Sequence, residues 1–246
     1  MKSKQTLEEL NAENETSTLD LNLDKDSKAG GIDVFIQKNG KIIITLSAIV
    51  IILVSLILWF RANSKQNEYD ASKYLARIEM YFLEGRYEDA LYAPDSLPLI
   101  RNEKLRGLIR IVEEYGSTKS GNRATLYTAD ALYQLGKYPE AKTYYEKSIS
   151  SKIPDIKLGG YAGLGACNER DGKLEDAAAN YLKAVELIDE DGLKLRYMYF
   201  AGLCTEKSGK KDEALKIYRN IISFNKFGEF NNMAKAGIVR LGDVVE

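Results

Sequence analysis

The chain carries two kinds of apolar pattern, one continuous and one periodic. From Ile42 to Phe60 it reads IIITLSAIVIILVSLILWF, nineteen residues without a charge. At about 1.5 Å per residue this stretch spans roughly 28 Å as a helix, close to the hydrocarbon thickness of a bilayer. Lys41 and Arg61 bracket it, and Trp59 stands where interfacial aromatics belong. Core helices seldom run this long without a polar face, so a transmembrane helix is predicted over 41–61. No A-x-A-like site follows Phe60, so the segment is expected to stay as an anchor. Beyond it, Tyr74, Leu75, Ile78, Tyr81 and Phe82 recur at helical spacing. No glycine or proline intervenes between Gly40 and Gly85. The membrane helix is therefore expected to continue into this second one and hold the following domain near the bilayer.

Residues 1–40 carry eight acids and five lysines and few large apolar side chains. Such a segment buries too little apolar area to offset its ordering entropy, and a mobile polar tail is expected. A short interfacial turn at Ile32, Val34, Phe35 and Ile36 is expected before Asn39-Gly40. Asn14-Glu15-Thr16 is a formal glycosylation sequon to which nothing is assigned. Flanking charge is balanced, with Lys28, Lys38 and Lys41 before the span and Arg61, Lys65 and Lys73 after it. A single span behind a short tail commonly inserts as a signal anchor, which places the tail in the cytoplasm.

After Gly85 a hexapeptide recurs. Gly-Arg-Tyr-Glu-Asp-Ala ends at Ala90, Gly-Lys-Tyr-Pro-Glu-Ala at Ala141, Gly-Lys-Leu-Glu-Asp-Ala at Ala177, and Gly-Lys-Lys-Asp-Glu-Ala at Ala214. The last three alanines are 36 and 37 residues apart. Tyr145, Tyr181 and Tyr218 each follow their alanine by four, and Ala129, Gly165 and Gly202 precede it by twelve. A period in this range signals stacked helix pairs. Each position has a physical reading. The small residue lets the second helix approach, and Gly136, Gly172 and Gly209 turn the chain between helices. Acids in the next turn suit the helix dipole, and Pro139 fits an early helical position. The alanine packs in the crossing, and the tyrosine reaches toward the next unit.

Composition then removes chemistries. There is no histidine, only Cys167 and Cys204, and a net charge of −1. The commonest general base, the commonest metal ligand and any multi-cysteine framework are excluded, and no charge draws nucleic acid. No enzyme, cofactor or metal site is expected. The run Gly159-Gly160-Tyr161-Ala162-Gly163-Leu164-Gly165 lacks the Gly-Lys-Ser/Thr ending of a phosphate loop. Cys167 and Cys204 occupy equivalent positions on first helices, about 9–10 Å apart if those helices stack. That is too far for a disulfide, so both read as buried small residues.

The small–Gly–Ala–aromatic spacing resembles the tetratricopeptide repeat from about Arg123 to Phe224, with a degenerate unit earlier. The first-helix tryptophan of that family is replaced by Thr125, Tyr161 and Met198. The resemblance implies an all-α chain: one N-terminal transmembrane helix, then a tetratricopeptide-type α-solenoid over 62–246. Its units are a degenerate repeat at 71–115, repeats at about 122–154, 158–190 and 195–226, and a capping helix at 228–244. Pro94 and Pro98 interrupt the first unit, and a helix is expected again from Leu105 to Tyr115. Carried over residue by residue, the peptide groove of the family falls on Arg123, Leu126, Asp130 and Tyr133. It continues through Ala162, Ala166 and Glu169 to Arg196, Tyr199, Leu203 and Glu206. A groove filled by the insert or the last helix reads alike in sequence.

The order of tail, Phe35, Asn39-Gly40-Lys41, span ending in Trp59 and helical repeats is similar to that of the ancillary SecYEG translocon subunit family. The tail and the insert after Ala90 are longer than that family leads one to expect. The resemblance implies a single-pass protein of the bacterial inner membrane, N-terminus cytoplasmic and repeats periplasmic. Its partners would be translocon subunits, secreted chains and periplasmic chaperones. The alternative is a structural adaptor for another envelope assembly, such as division, cell-wall or outer-membrane machinery.

Overall fold

The computed structural model describes residues 29–224 and 227–244, with side chains from residue 38 onward and that of Ile43 left out. Among these residues the structure is helical and has no named strand. The chain divides into two compact units, 1–61 and 62–246.

The first unit consists, where described, of the opening part of α1, a helix from Ala29 to Leu83. It opens inside the segment expected to be mobile and runs through Asn39-Gly40 without the anticipated turn. A helical glycine costs only about 1 kcal/mol against alanine, which the apolar run after it readily offsets. Most of the expected polar tail, with the Asn14-Glu15-Thr16 sequon, lies at residues 1–28, outside the described residues. From Ile42 to Phe60 every described side chain is exposed, with Ile44, Trp59 and Phe60 each about two-thirds accessible. This is one helix long and apolar enough to cross a membrane.

In the second unit α1 continues from residue 62 and buries Ala71, Leu75, Ile78 and Tyr81, one stripe at spacings of three and four. Next come α2 (Tyr87–Tyr92), α3 (Leu108–Tyr115), α4 (Lys119–Gln134) and α5 (Tyr138–Ile149). They are followed by α6 (Pro154–Arg170), α7 (Leu174–Val185), α8 (Asp191–Lys207), α9 (Lys211–Phe224) and α10 (Glu229–Arg240). From α3 onward each helix packs on the next; α4 also meets α6, and α8 meets α10. The joining turns from α4 to α10 are three to five residues long, so successive helices reverse direction.

The turns inside the pairs follow one rule. Gly136, Gly172 and Gly209 have φ of 75°, 73° and 86°, where a Cβ is strained. The next amide reaches back to close the helix: Lys137 N–H to Leu132 O, Lys173 N–H to Asn168 O, and Lys210 N–H to Thr205 O. Gly85 and Gly242 repeat the device, with Arg86 and Asp243 as donors to Tyr81 and Ile238. Acids fill the first turns of the following helices at Glu88 and Asp89, Glu140, Glu175 and Asp176, and Asp212 and Glu213.

The insert from Ala93 to Gly107 is ordered by hydrogen bonds and charge. Ile100 and Glu103 exchange both backbone hydrogen bonds across Arg101-Asn102, whose φ values of 53° and 62° make a tight two-residue turn. Lys73 and Arg77 of α1 donate to Glu103 at 3.0 and 2.5 Å. Those two bonds hold its carboxyl well below the usual range, at about 2. Arg106 lies 4.0 Å from the Tyr74 ring centre and pairs with Glu114. The helix expected from Leu105 starts instead at Leu108, because Gly107 is extended and lies against the Leu91 carbonyl, where a Cβ would not fit.

Candidate functional site

The residues named as packing positions share one geometry. Ala129, Ala141, Ala177 and Ala214 are fully buried. The ring of Tyr181 lies over Gly165 and that of Tyr218 over Gly202; a Cβ would come within 2.6 and 2.7 Å of them. Each ring also meets the following first helix: Tyr145 touches Gly163, Tyr181 lies 5.6 Å from Phe200, and Tyr218 covers Gly237. One aromatic side chain therefore fills the space between its own first helix and the next.

The hydroxyls of these tyrosines end on the acids assigned to the candidate groove. Tyr145 donates to Asp130 at 2.7 Å, Tyr181 to Glu169 at 3.4 Å, and Tyr218 to Glu206 at 2.7 Å. Bases from the next helix complete two of these sets. Lys207 donates to Glu169 at 2.9 Å, and Arg240 donates to both Glu206 oxygens at 2.5 and 2.7 Å. Burial pushes the three phenols up, and the neighbouring carboxylates push them further. Burial also raises the Asp130 carboxyl, which the Tyr145 bond only partly offsets. Arg240 holds Glu206 below the usual carboxylate range.

The other groove positions divide by exposure. Arg123 and Arg196 are exposed and form no ion pair among the described residues. Leu126 and Leu203 are half-buried, and Leu126 lies against Gly159. Ala162 is buried and Ala166 half-buried. Tyr133 meets Tyr138 edge-on at 5.2 Å, while Tyr199 lies 6.1 Å from both Tyr218 and Phe230. Arg123 and Leu126 line a depression of about 660 Å³ with Glu68, Tyr127, Asp155 and Ile156. The structure thus gathers Arg123 and Leu126 at one open surface and commits the three acids and Tyr199 to internal contacts.

Two further contacts join α1 to α4 and are not encoded in the periodic pattern. Glu68 accepts from the Lys119 and Ser120 amides at 2.7 and 3.2 Å and from the Ser120 hydroxyl at 2.8 Å. Tyr127 donates to Glu79 at 2.7 Å and stacks on Phe82 at 4.6 Å. The Tyr127 phenol is raised to about 12, by burial first and the Glu79 bond second. Periodicity finds the helices that carry these residues but not which partners meet across about fifty residues.

Cys167 and Cys204 are buried free thiols. Burial pushes them up to about 11 and 12, so little thiolate is present at neutral pH. Among the described residues no group of three or more His, Cys, Asp or Glu is placed to hold a metal. No protein-family model matches the chain, and no similar curated protein was found.

Proposed function

We propose that the chain is a membrane-anchored protein-binding scaffold, with α1 as its single span and residues 62–246 as a tetratricopeptide-type solenoid. The observation that carries this reading is the tyrosine shared between successive first helices, repeated at Tyr145, Tyr181 and Tyr218. In this reading α10 caps the stack, and the surface around Arg123 and Leu126 is the open part of the groove. The uncharged run from Ile42 to Phe60, exposed wherever its side chains are described, supports the anchor, since water would not tolerate it. No catalytic step is assigned.

Within this reading the repeats lie in the periplasm and the N-terminus in the cytoplasm of a bacterial inner membrane. The resemblance in segment order supports association with the Sec translocon and hand-over of secreted polypeptides to periplasmic chaperones. Solubilising the full chain in mild detergent and identifying what co-purifies tests this. Translocon subunits are expected among the captured proteins; their consistent absence overturns the assignment. Consistent capture of division, cell-wall or outer-membrane components would make the chain a structural adaptor of that machinery.

A further inference from the structure

The end of the helical domain where α4, α6 and α8 begin is divided by charge. A cavity of about 610 Å³ opens there between the turns at 116–118 and 150–153. Lys119, Lys147 and Lys152 line it with Ser117, Ser150 and Asn122, and no carboxylate does. None of the three lysines forms an ion pair among the described residues; Lys147 lies 4.6 Å from the Tyr144 ring centre. Glu68 and Asp155 line the adjoining depression, which shares Lys119 and Ile153 with the cavity. Glu68 is already engaged by the amides of Lys119 and Ser120. At the same end, the turn leading into α8 carries Glu186, Asp189 and Glu190, and α8 opens with Asp191, all exposed. One side of this end is therefore basic and the other acidic.

We infer that the basic side is a docking face for the phosphate groups of an anionic lipid surface. The inference rests on the proposed anchor. Charge complementarity selects the ligand: three ammonium groups without ion pairs, with the Ser117 and Ser150 hydroxyls between them, suit phosphate oxygens, while the Asn122 amide is held by the Gly116 and Thr118 carbonyls. The acidic turn disfavours the same surface and so selects which side of this end approaches it. Connectivity supplies the encounter, because Glu68, beside the cavity, is only eight residues beyond Phe60 in sequence. That length of chain reaches at most about 29 Å even fully extended. Each lysine near an anionic bilayer strengthens such docking by about fivefold.

The test uses the full chain in nanodiscs, which expose both membrane faces and so make insertion direction irrelevant. Lysine acetylation by a water-soluble reagent is followed by mass spectrometry in phosphatidylglycerol-containing and pure phosphatidylcholine discs. Lys119, Lys147 and Lys152 should react several-fold more slowly in the anionic discs, while Lys173 and Lys211, at the opposite end, react equally in both. Raising the salt should remove the difference. Replacing the pair Lys147→Gln and Lys152→Gln should bring Lys119 back to the rate of the reference lysines. Equal rates in the two discs, or equal slowing of all five lysines, would overturn the inference. Protection by inorganic phosphate in pure phosphatidylcholine discs would assign the cavity to free phosphate instead of lipid. A chain that fails to co-elute with the discs overturns the anchor itself, a distinct result.

Discussion

Glu68 and Ser120 are joined twice, through the Ser120 amide at 3.2 Å and its hydroxyl at 2.8 Å. With the Lys119 amide at 2.7 Å, one carboxylate from α1 satisfies the first amides of α4. A carboxylate at this position meets both unpaired N–H groups and the positive end of the helix dipole. Glu68→Ala should cost the full chain about 0.5–2 kcal/mol in denaturant unfolding, the range of a lost N-cap. Amide exchange should accelerate first at Lys119 and Ser120. Unchanged exchange at those two amides would contradict the assignment.

Tyr218 meets Glu206 with its hydroxyl and both Gly202 and Gly237 with its ring. Tyr218→Phe removes only the hydroxyl and should cost about 1.5–3 kcal/mol, the range for a hydrogen bond to a charged group. Gly202→Val forces a branched side chain into the ring and should cost about 1–3 kcal/mol by overpacking. A double-mutant cycle of Tyr218→Phe with Arg240→Gln should give non-additive losses, because both groups bond Glu206. Additive losses would mean that the two bonds are energetically independent.

The insert has its own pH signature. Lys73 and Arg77 lower Glu103 from 4.5 to about 2, so the folded state favours the ionised carboxyl. The stabilisation is fully present above about pH 4.5 and is lost as pH falls toward 2. Limited proteolysis within Ser96–Lys104 should accelerate on acidification through that window. Glu103→Gln should be cut faster at neutral pH and lose the acid-dependent step. Identical cleavage of the variant and the parent chain at pH 7 would contradict this.

The apolar run of α1 makes the simplest prediction. Ile51→Arg with Leu53→Lys places charges near the middle of the span, at about 2.5–3.5 kcal/mol each by insertion scales. The parent chain should stay in the membrane pellet after alkaline carbonate extraction, and the double variant should move to the supernatant. Equal behaviour of the two chains would contradict a span centred there.

The turn glycines are legible in the sequence because only glycine adopts φ near 75° without strain, so Gly136, Gly172 and Gly209 carry their geometry in their identity. The buried stripe of α1 and the alanine positions are legible for a similar reason, since helical period and small size leave few alternatives. The groove acids are not. Glu169 and Glu206 stand twelve residues before their tyrosines, a spacing that suits an open groove and an internal hydrogen bond equally. Asp130 reaches Tyr145 from fifteen residues away, because Tyr133 stands where the other units carry glutamate. Contacts such as Glu68 with Ser120 depend on how distant helices pack, which a one-dimensional pattern does not encode.

Photo-crosslinking in cells tests most directly the proposal that the helical domain holds polypeptide partners beside the translocon. A photoreactive residue is placed at Arg123 or Leu126 on the open surface, and at Lys211 as a reference away from it. Adducts with translocon subunits or secreted chains are expected from the first two positions and none from Lys211. Adducts only with other envelope machinery, or equal adducts from all three positions, would contradict it.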